Sequence, residues 1–213
     1  MELTQAALPI MRRGSAAKRV KRLLDIVGSV VGLTLFSPIF LLVGSLVKIE
    51  DGGPVFYRRR VVGPEGEFSA YKFRSMCVNA DERLQADPRM LAAFTKNYKL
   101  VDDPRVTRIG RILRKTSLDE FPQLVNVLAG QMSLIGPRMI TKSELSKYGE
   151  WSDLLLSVRP GMTGYWQTEG RQKTSYAERV QMDVFYIHNW SLIFDLKILA
   201  KTPWKVLKRE GAH

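Results

Sequence analysis

The sequence contains few of the side chains that build disulfides or transition-metal sites. Of its 213 residues only Cys77 is a cysteine, so no disulfide can form within the chain, which suits a reducing compartment. The two histidines, His188 and His213, are far apart in the sequence. A His/Cys metal cluster is therefore excluded, and any metal ion is expected to be a hard ion held by carboxylate and phosphate oxygens.

Negative charge is also scarce. The chain has 21 Asp and Glu residues against 33 Lys and Arg residues, a net charge of +12. Such a balance favours anionic partners, among them nucleic acid, nucleotides, phosphate esters and acidic lipid headgroups. A nucleic-acid-binding module is the function that charge alone suggests. It leaves the long uncharged segment described next without a role, so nucleic acid is not expected as a partner.

The longest single feature is an apolar segment near the N-terminus. Residues 26–47 form a run of 22 residues without a charge, and a helix of about 20 apolar residues spans a bilayer core. A signal peptide has an apolar core of only about 7–15 residues followed by a small-residue cleavage site, and no such site follows Val47. A buried helix of a soluble core is disfavoured because the segment lacks a polar face. The segment is therefore predicted to enter the membrane.

Proline and flanking charge bear on how the segment enters. Pro38 cannot donate to the carbonyl of Thr34, which predicts a bend at Ser37-Pro38. Both flanks are basic, so both ends favour the cytoplasmic side. A re-entrant helix that returns to the same leaflet fits these features, and a kinked helix that spans the bilayer is the alternative that the residues leave open. The basic residues are Arg12, Arg13, Lys18, Arg19, Lys21 and Arg22 before the segment and Lys48, Arg58, Arg59 and Arg60 after it.

The rest of the chain is predicted to be a single mixed α and β body, mostly helical. Apolar strands at 55–57 and 68–73 around the turn at Gly63-Pro64-Glu65-Gly66 indicate a small β-hairpin. Helices are expected at 79–99, 109–128, 142–158 and 176–189. The tail at 190–207 alternates apolar and basic residues with Trp190 and Trp204, which fits an amphipathic interfacial helix. An ordinary surface helix with a solvated basic face is the alternative.

Two adjacent carboxylates, Asp119 and Glu120, lie in a run otherwise rich in Arg and Lys. Nearby positive charge keeps such carboxylates ionised. An ionised Asp can attack phosphorus and form an acyl phosphate, while its neighbour helps hold a magnesium ion on a diphosphate. However, Ser117 to Glu120 also fits S-x-x-E, a capping box in which Glu120 only reaches back to a helix start. Spacing alone favours this capping interpretation.

Basic residues beside glycines form further candidate sites on both sides of the acidic pair. Guanidinium groups grip phosphate oxygens in a forked geometry, and glycine lets the backbone approach a ligand. A third run, residues 159–171, offers a turn, the aromatic Trp166 and polar groups, although spacing alone favours a loop with Trp166 in the core. The basic runs are Tyr71-Lys72-Phe73-Arg74, the residues 105–114, and Gly136-Pro137-Arg138.

Four ordered motifs resemble those of the bacterial sugar transferases, the monotopic phosphoglycosyl transferases that initiate capsule, O-antigen and exopolysaccharide synthesis. The resemblance covers about residues 18–212, and chance does not produce several ordered motifs of this length. It therefore outweighs the capping interpretation of the acidic pair. The motifs are Lys21-Arg22 with Asp25, GGPVFYRRRVVGPEGEFSAYKFRSM, DPRVTRIGRILRKTSLDEFPQLVNVLAGQMSLIGPR and RPGMTGYWQTEGR.

The resemblance implies a ping-pong reaction at the cytoplasmic face of the bacterial inner membrane. By resemblance, Asp119 attacks the sugar-bearing phosphate of a UDP-sugar, UMP leaves, and a polyprenyl phosphate such as undecaprenyl phosphate then attacks the phosphosugar enzyme. Mg²⁺, associated with Glu120 and Asp119, neutralises the developing charge. A hexose donor is favoured. A catalytically silent membrane scaffold for polysaccharide assembly is the alternative function.

The resemblance also implies a layout for the chain. Residues 1–49 are expected to form a basic segment and a re-entrant membrane helix bent at Ser37-Pro38, in contact with membrane lipids. Residues 50–213 are expected to form the cytoplasmic catalytic domain, with a homo-oligomer left open. The phosphate-binding candidates are Lys72, Arg74, Arg114 and Arg138, and the candidate contacts to the nucleotide sugar are Gly161, Thr163, Trp166, Gln167 and Arg171.

Overall fold

The computed structural model describes residues 14–97, 100, 102–170 and 174–207. Within these residues it is mostly helical, with two small sheets. The strands are β1 (Phe56–Gly63), β2 (Gly66–Phe73), β3 (Ser133–Ile135) and β4 (Gly161–Thr163). The helices are α1 (Ser15–Asp51), α2 (Ala80–Ala86), α3 (Pro88–Asn97), α4 (Arg108–Thr116), α5 (Gln123–Leu128), α6 (Lys142–Leu145), α7 (Ser152–Leu156), α8 (Tyr165–Glu169), α9 (Tyr176–Asn189) and α10 (Leu192–Leu207).

Helix α1 contains the whole apolar segment and is long and apolar enough to cross a membrane. Its 37 residues are assigned as one helix with Pro38 inside. Proline removes the backbone donor that the carbonyl of Thr34 needs, and the hydroxyl of Ser37 donates to this carbonyl instead, at 2.9 Å. The Ser37-Pro38 pair thus supplies its own replacement hydrogen bond, which an apolar surrounding requires.

The two ends of α1 are fastened to the same body. Near its start, the Asp25 carboxylate accepts hydrogen bonds from the Ser133 hydroxyl and the Leu134 amide, both at 3.0 Å. Near its end, Glu50 accepts a hydrogen bond from the Ile109 amide at 3.1 Å. Between these points Val43 and Val47 are buried in an apolar cluster with residues of β2 and α4. One side of α1 therefore packs on the body along most of its length.

The opposite side of α1 is apolar and exposed. Leu35, Leu41 and Ile49 each expose two thirds or more of their surface. Helix α10 adds Ile193 and Trp204, both more than 60% exposed. Contiguous exposed apolar surface on this scale marks a face that contacts lipid or another protein. The exposed side of α10 carries Lys197 and Lys201 as well as these apolar residues, the combination that an amphipathic interfacial helix requires.

Strands β1 and β2 form the predicted hairpin and extend it. They pair in antiparallel register from Phe56 opposite Phe73 to Gly63 opposite Gly66. The turn needs glycine because Gly66 has a φ of 106°, in the left-handed region. The strands are longer than predicted. The arginines of β1 break the apolar alternation that predicts a strand, but strand pairing uses backbone groups, so Arg58, Arg59 and Arg60 still pair with β2.

Three of the four predicted helices of the body are interrupted. The helix predicted over 79–99 is split into α2 and α3 at Asp87-Pro88, since proline starts a helix but cannot continue one. The region 142–158 is split at Gly149, whose φ of 52° and ψ of −125° are not helical. The region 109–128 is split by the short 3-10 helix Leu118–Glu120. The helix predicted over 176–189 is confirmed as α9.

Helix α9 forms the centre of the main apolar core, through Val180, Val184 and Ile187. Helix α10 is locked to this core and to α1 by a buried carboxylate, Asp195. Its oxygens accept hydrogen bonds from Lys21 of α1 at 2.6 Å, from the Tyr186 hydroxyl at 2.7 Å and from the Trp190 indole at 3.0 Å. The two helices with exposed apolar faces are thereby held in a fixed relation to each other.

Candidate active site

The acidic pair lies on the 3-10 helix Leu118–Glu120, between α4 and α5. The apolar neighbours of the pair hold it against α1: Leu118 packs on the cluster around Val43, and the ring of Phe121 lies 4.9 Å from that of Phe36 in an edge-to-face contact. The pair is thus placed next to the long apolar helix α1. The chain reaches this position through Ser117, whose positive φ of 56° ends α4.

The capping interpretation of the pair is wrong. Ser117 makes no side-chain hydrogen bond to the following turn, and its backbone is left-handed rather than extended as an N-cap requires. The Glu120 carboxylate instead forms a close ion pair with Lys72 of β2. A carboxylate that is not used for capping is available for chemistry.

Lys72 is aligned with the pair by a buried amide. The side chain of Asn126, fully buried on α5, accepts a hydrogen bond from the Tyr71 amide at 2.9 Å and donates to the Ser69 carbonyl at 2.8 Å. This clamp fixes β2 against the helix that follows the acidic pair. The ammonium of Lys72 then lies 3.9 Å from Asp119 as well as against Glu120.

The two carboxylates have different electrostatic surroundings. Asp119 is 8% exposed, and burial, opposed by Lys72 and reinforced by Glu120, raises its pKa to about 6. Burial also acts on Glu120, but the charge and hydrogen bond of Lys72 outweigh it and lower the pKa of this carboxyl. Two neighbouring carboxyls with pKa values driven apart are typical of a catalytic site.

Arg114 borders the pair from α4. Its Nε donates to the Ser75 hydroxyl at 2.9 Å, which turns the guanidinium toward β2, and its positive charge acts on Asp119. Lys72 and Arg114 are therefore brought to the acidic pair, as their predicted phosphate role requires.

Arg74 is placed differently. It binds both oxygens of Asp51 at the end of α1, and its remaining N–H groups donate to the carbonyls of Pro54, Met76 and Val47. All five donors of the guanidinium are thus engaged within the protein. A phosphate can reach Arg74 only by displacing one of these partners, which counts against the predicted phosphate role and assigns Arg74 to the attachment of α1.

Arg138 lies between the acidic pair and the segment that follows β4. Its charge acts on Glu120 and lowers the pKa of that carboxyl, while its guanidinium carbon lies 5.0 Å from the centre of the Trp166 ring. Its backbone amide donates to Asp183 at 3.2 Å. Spacing alone favoured a loop with Trp166 in the core, and this prediction is wrong. Trp166 is half-buried on α8, with the guanidinium of Arg138 over its ring.

Glycines bring these segments together. Strand β3 pairs in parallel with β4, and a Cβ added at Gly161 would lie 2.1 Å from the Gly136 nitrogen. A Cβ added at Gly164 would likewise lie 2.1 Å from the Gly136 carbonyl oxygen. Such distances exclude any side chain, so the glycines of the two motifs allow the backbones to touch. Thr163 and Gln167 share this segment, and Arg171 lies outside the described residues.

The sequence did not predict two further residues of this region, the basic Arg179 and the aromatic Tyr176, as site residues. The guanidinium carbon of Arg179 lies 4.6 Å from the centre of the Trp166 ring. Both residues sit in α9, where the sequence shows an ordinary amphipathic helix without a glycine or a basic run. Only the packing of α9 against α8 reveals them.

The acidic pair has the right chemistry for a hard divalent cation. Mg²⁺ prefers oxygen ligands and usually takes one or two carboxylates, with substrate phosphates and waters completing the shell. Asp119 and Glu120 can supply two carboxylates beside three cations that attract phosphate. Over residues 14–97, 102–170 and 174–207, no group of three or more His, Cys, Asp and Glu side chains forms a site made entirely of protein ligands.

Asp119 is buried and Glu120 is half-buried, and both are held among cations next to the long apolar helix α1. This arrangement fits a membrane-associated protein that binds phosphate groups. The bacterial sugar transferase family model matches residues 16–209, and the chain belongs to this family.

Curated relatives cover nearly the whole chain. An undecaprenyl-phosphate galactose phosphotransferase of Salmonella typhimurium is 46% identical over 93% of this chain and 42% of its own length. A UDP-galactose-lipid carrier transferase of Erwinia amylovora is 44% identical over 93% of this chain and 42% of its own length. The exopolysaccharide production protein ExoY of Rhizobium meliloti is 45% identical over 100% of this chain and 93% of its own length. The chain thus spans less than half the length of two of these relatives.

Proposed function

We propose that this chain transfers a hexose 1-phosphate from a UDP-sugar to undecaprenyl phosphate, releases UMP, and so initiates the synthesis of an exopolysaccharide, capsule or O-antigen. The observation that carries the proposal is the buried Asp119, held by Lys72 and Arg114 beside α1. The names of the Salmonella and Erwinia relatives, an undecaprenyl-phosphate galactose phosphotransferase and a UDP-galactose-lipid carrier transferase, support the choice of acceptor and donor.

The proposed first step is a displacement at the sugar-bearing phosphorus. The ionised Asp119 forms a bond to phosphorus, the bond from phosphorus to the bridging oxygen breaks, and that oxygen takes the electron pair and leaves as part of UMP. Lys72, Arg114 and Arg138 would hold the phosphate oxygens in place, because fixed cations stabilise charge that moves during the displacement. The product is an aspartyl phosphosugar enzyme.

The proposed second step transfers the phosphosugar to lipid. The phosphate oxygen of undecaprenyl phosphate attacks the same phosphorus, and Asp119 departs as a carboxylate. Phe36, Phe40, Phe73, Leu118 and Phe121 form an apolar region between α1 and the acidic pair, and the prenyl chain would lie against its outer side. Mg²⁺ held by Glu120 and Asp119 would neutralise charge on the phosphates when bound.

We also propose that α1 is re-entrant and that the catalytic body lies on the cytoplasmic face of the inner membrane. Polar contacts fasten both ends of α1 to one body, Lys21 to Asp195 and Glu50 to Ile109. A straight spanning helix would separate these two sets of contacts by the thickness of a bilayer. The basic residues on both flanks support the cytoplasmic side.

Cysteine labelling tests this topology. In a background carrying Cys77→Ser, neither Ser15→Cys nor Glu65→Cys should react with a membrane-impermeant maleimide added to intact spheroplasts. Both should react in inverted vesicles, because both ends of α1 face the cytoplasm. Labelling of one of the two from each side would show a spanning helix, and an engineered periplasmic cysteine on another protein confirms that the reagent works.

The test of the activity is UMP release from a panel of UDP-hexoses by the detergent-purified chain with Mg²⁺ and undecaprenyl phosphate. We expect UMP release to continue beyond one turnover only when the lipid is present. We also expect one UDP-hexose to give a much higher rate of UMP release than the others. A folded protein that releases no UMP with any donor would overturn the proposal and favour a silent scaffold for polysaccharide assembly.

The pH dependence follows from the pKa of Asp119, which burial raises to about 6. The attacking carboxylate must be ionised, so the rate of the first step at low donor concentration should fall about tenfold per pH unit below 6 and level off above 7. Single-turnover measurements from pH 5 to 8 check this. A flat profile across pH 5 to 7 would contradict the assignment of Asp119 as the titrating nucleophile.

A further inference from the structure

A group of basic and aromatic side chains surrounds Arg138, the only one of them with a role in the reaction described above. We call Arg138, Trp166, Tyr176 and Arg179 the guanidinium cluster, which includes Tyr176 because the charges of both arginines act on it. The guanidinium carbons of Arg138 and Arg179 lie 5.0 and 4.6 Å from the centre of the same indole ring, that of Trp166. Two like charges on one ring repel each other, and burial together with Arg138 lowers the pKa of Arg179. The arrangement is therefore one that an anion would stabilise.

The cluster contains hydrogen-bond donors that are buried without an acceptor. The Nε atoms of Arg138 and Arg179, the Nε1 of Trp166 and the hydroxyl of Tyr176 are all inaccessible to solvent and unpaired within the described residues. Burying one unpaired donor is unfavourable, and native proteins keep few of them. Four such donors in one cluster, two of them on full positive charges, would be satisfied by a ligand whose acceptor atoms carry negative charge.

The nearby acids do not supply this acceptor. The oxygens of Asp183 are bound by the Tyr148 hydroxyl at 2.7 Å and by the Arg138 amide at 3.2 Å. The Oε2 of Glu144 accepts hydrogen bonds from Arg59 and from the amide and hydroxyl of Thr141. These contacts hold the cluster in shape, with Asp183 fixing the backbone of Arg138, and leave its inward donors for a ligand.

The cluster borders the acidic pair through Arg138 and lies away from α1. Arg138 is shared, because its charge also acts on Glu120. The cluster is built by the segment after β3 and by α8 and α9, whereas α1 packs mainly on α5, β3, α4 and β2. A lipid acceptor comes from the side of α1. A ligand in the cluster therefore lies on another side of the acidic pair from the lipid.

We propose that the guanidinium cluster is the subsite for the phosphate that leaves with the nucleotide, with Arg179 and Tyr176 as further binding residues for the donor. This inference rests on the proposed function, in which one phosphate of the donor is attacked by Asp119 and the other departs in UMP. As the bond to the bridging oxygen breaks, the electron pair and its charge move onto the departing phosphate. Arg179, Tyr176 and Arg138 present donors to that charge, and the forked guanidinium suits a phosphate better than an ammonium does.

The experiment measures the detergent-purified full chain carrying Arg179→Gln, Arg179→Lys or Tyr176→Phe. Lys142→Gln is the matched control, since it also removes a cation but from a side chain that is 81% exposed. We measure inhibition by UMP, kcat and KM for the UDP-sugar, and KM for undecaprenyl phosphate. Titration calorimetry with UMP alone is run in parallel as a measurement that needs no turnover.

For Arg179→Gln we expect at least about tenfold weaker inhibition and binding by UMP, a similar fall in kcat/KM for the donor, and an unchanged KM for the lipid. Arg179→Lys should recover part of the loss, and Tyr176→Phe should show a smaller loss of the same kind. Lys142→Gln should behave as the parent. If Arg179→Gln fails to fold, Tyr176→Phe decides, because it removes only a hydroxyl.

The outcomes separate the two proposals. UMP binding that is unaffected by both Arg179→Gln and Tyr176→Phe in an active enzyme overturns the subsite and leaves the reaction standing. A raised KM for undecaprenyl phosphate with normal UMP binding also overturns it, by assigning the cluster to the acceptor phosphate. If the parent protein binds UMP through Arg179 but releases none from any UDP-sugar, the subsite is supported and the proposed reaction fails.

Discussion

Asp119→Asn should abolish transfer, lowering the rate of UMP release by at least about 10³-fold. Asparagine has nearly the same shape as aspartate but cannot form the acyl phosphate, and loss of a covalent nucleophile removes a whole reaction path rather than one contact. In the parent protein, incubation with donor and no lipid should add the mass of one sugar phosphate to the intact chain. The variant should show no such mass.

The same substitution should leave the fold intact. Burial raises the pKa of Asp119 to about 6, above its ordinary value of 3.8, so its charged form costs stability in the folded state at every pH above this range. Asparagine carries no such cost, and we expect the melting temperature at pH 7.5 to stay or rise. Asp153→Asn, on an exposed carboxylate of α7, is the matched control and should keep full activity. Transfer or a mass adduct retained in Asp119→Asn would show that another residue is the nucleophile.

Arg74→Met should destabilise the chain and loosen α1. Arg74 is 7% exposed and donates all its N–H groups to Asp51 and three backbone carbonyls around the end of α1. Removing one partner of a buried ion pair costs about 3–5 kcal/mol, and we expect the lower end because Asp51 keeps partial access to solvent. Thermal unfolding in detergent, with limited proteolysis near Gly52-Gly53, measures the effect.

The control for this prediction is Arg60→Met. The Arg60 side chain is 72% exposed and lies 3.9 Å from Glu67, so its loss should cost less than about 1 kcal/mol. The comparison also decides between two roles of Arg74. A raised KM for the donor with unchanged stability would restore Arg74 to the phosphate site, whereas a large loss of stability supports its attachment of α1.

The acidic pair illustrates what can be predicted from local sequence. Asp119 and Glu120 stand out because two carboxylates interrupt a basic run, but the spacing Ser117 to Glu120 equally fits a capping box. The structure decides between these interpretations through Lys72, which is 48 residues away from Glu120 in the chain. A partner at such a distance cannot be found from the spacing of neighbouring residues, since its approach depends on how the hairpin packs on α5.

Arg74 and Arg179 also show that local sequence does not reveal which basic residues belong to the site: Arg74 was predicted and Arg179 was missed. Arg74 lies in a basic motif beside Lys72 and was predicted to bind phosphate, yet the end of α1 takes all its donors. Arg179 lies in a helix that gave no functional signal, yet it shares the ring of Trp166 with Arg138. Residues two apart share a face of a regular strand, but β2 ends at Phe73, so strand alternation does not fix the direction of Arg74.

The sequence by itself determined the apolar segment with its Ser37-Pro38 pair, the hairpin, the helical regions without their interruptions, the acidic pair and the glycine motifs. These features depend on composition, periodicity and backbone preferences that act over a few residues. Only the tertiary structure decided which cation serves which carboxylate, that both ends of α1 are fastened to one body, and that Arg138 and Arg179 meet at the ring of Trp166. Those facts depend on contacts between residues far apart in the chain, where burial and packing rather than local preference fix each partner.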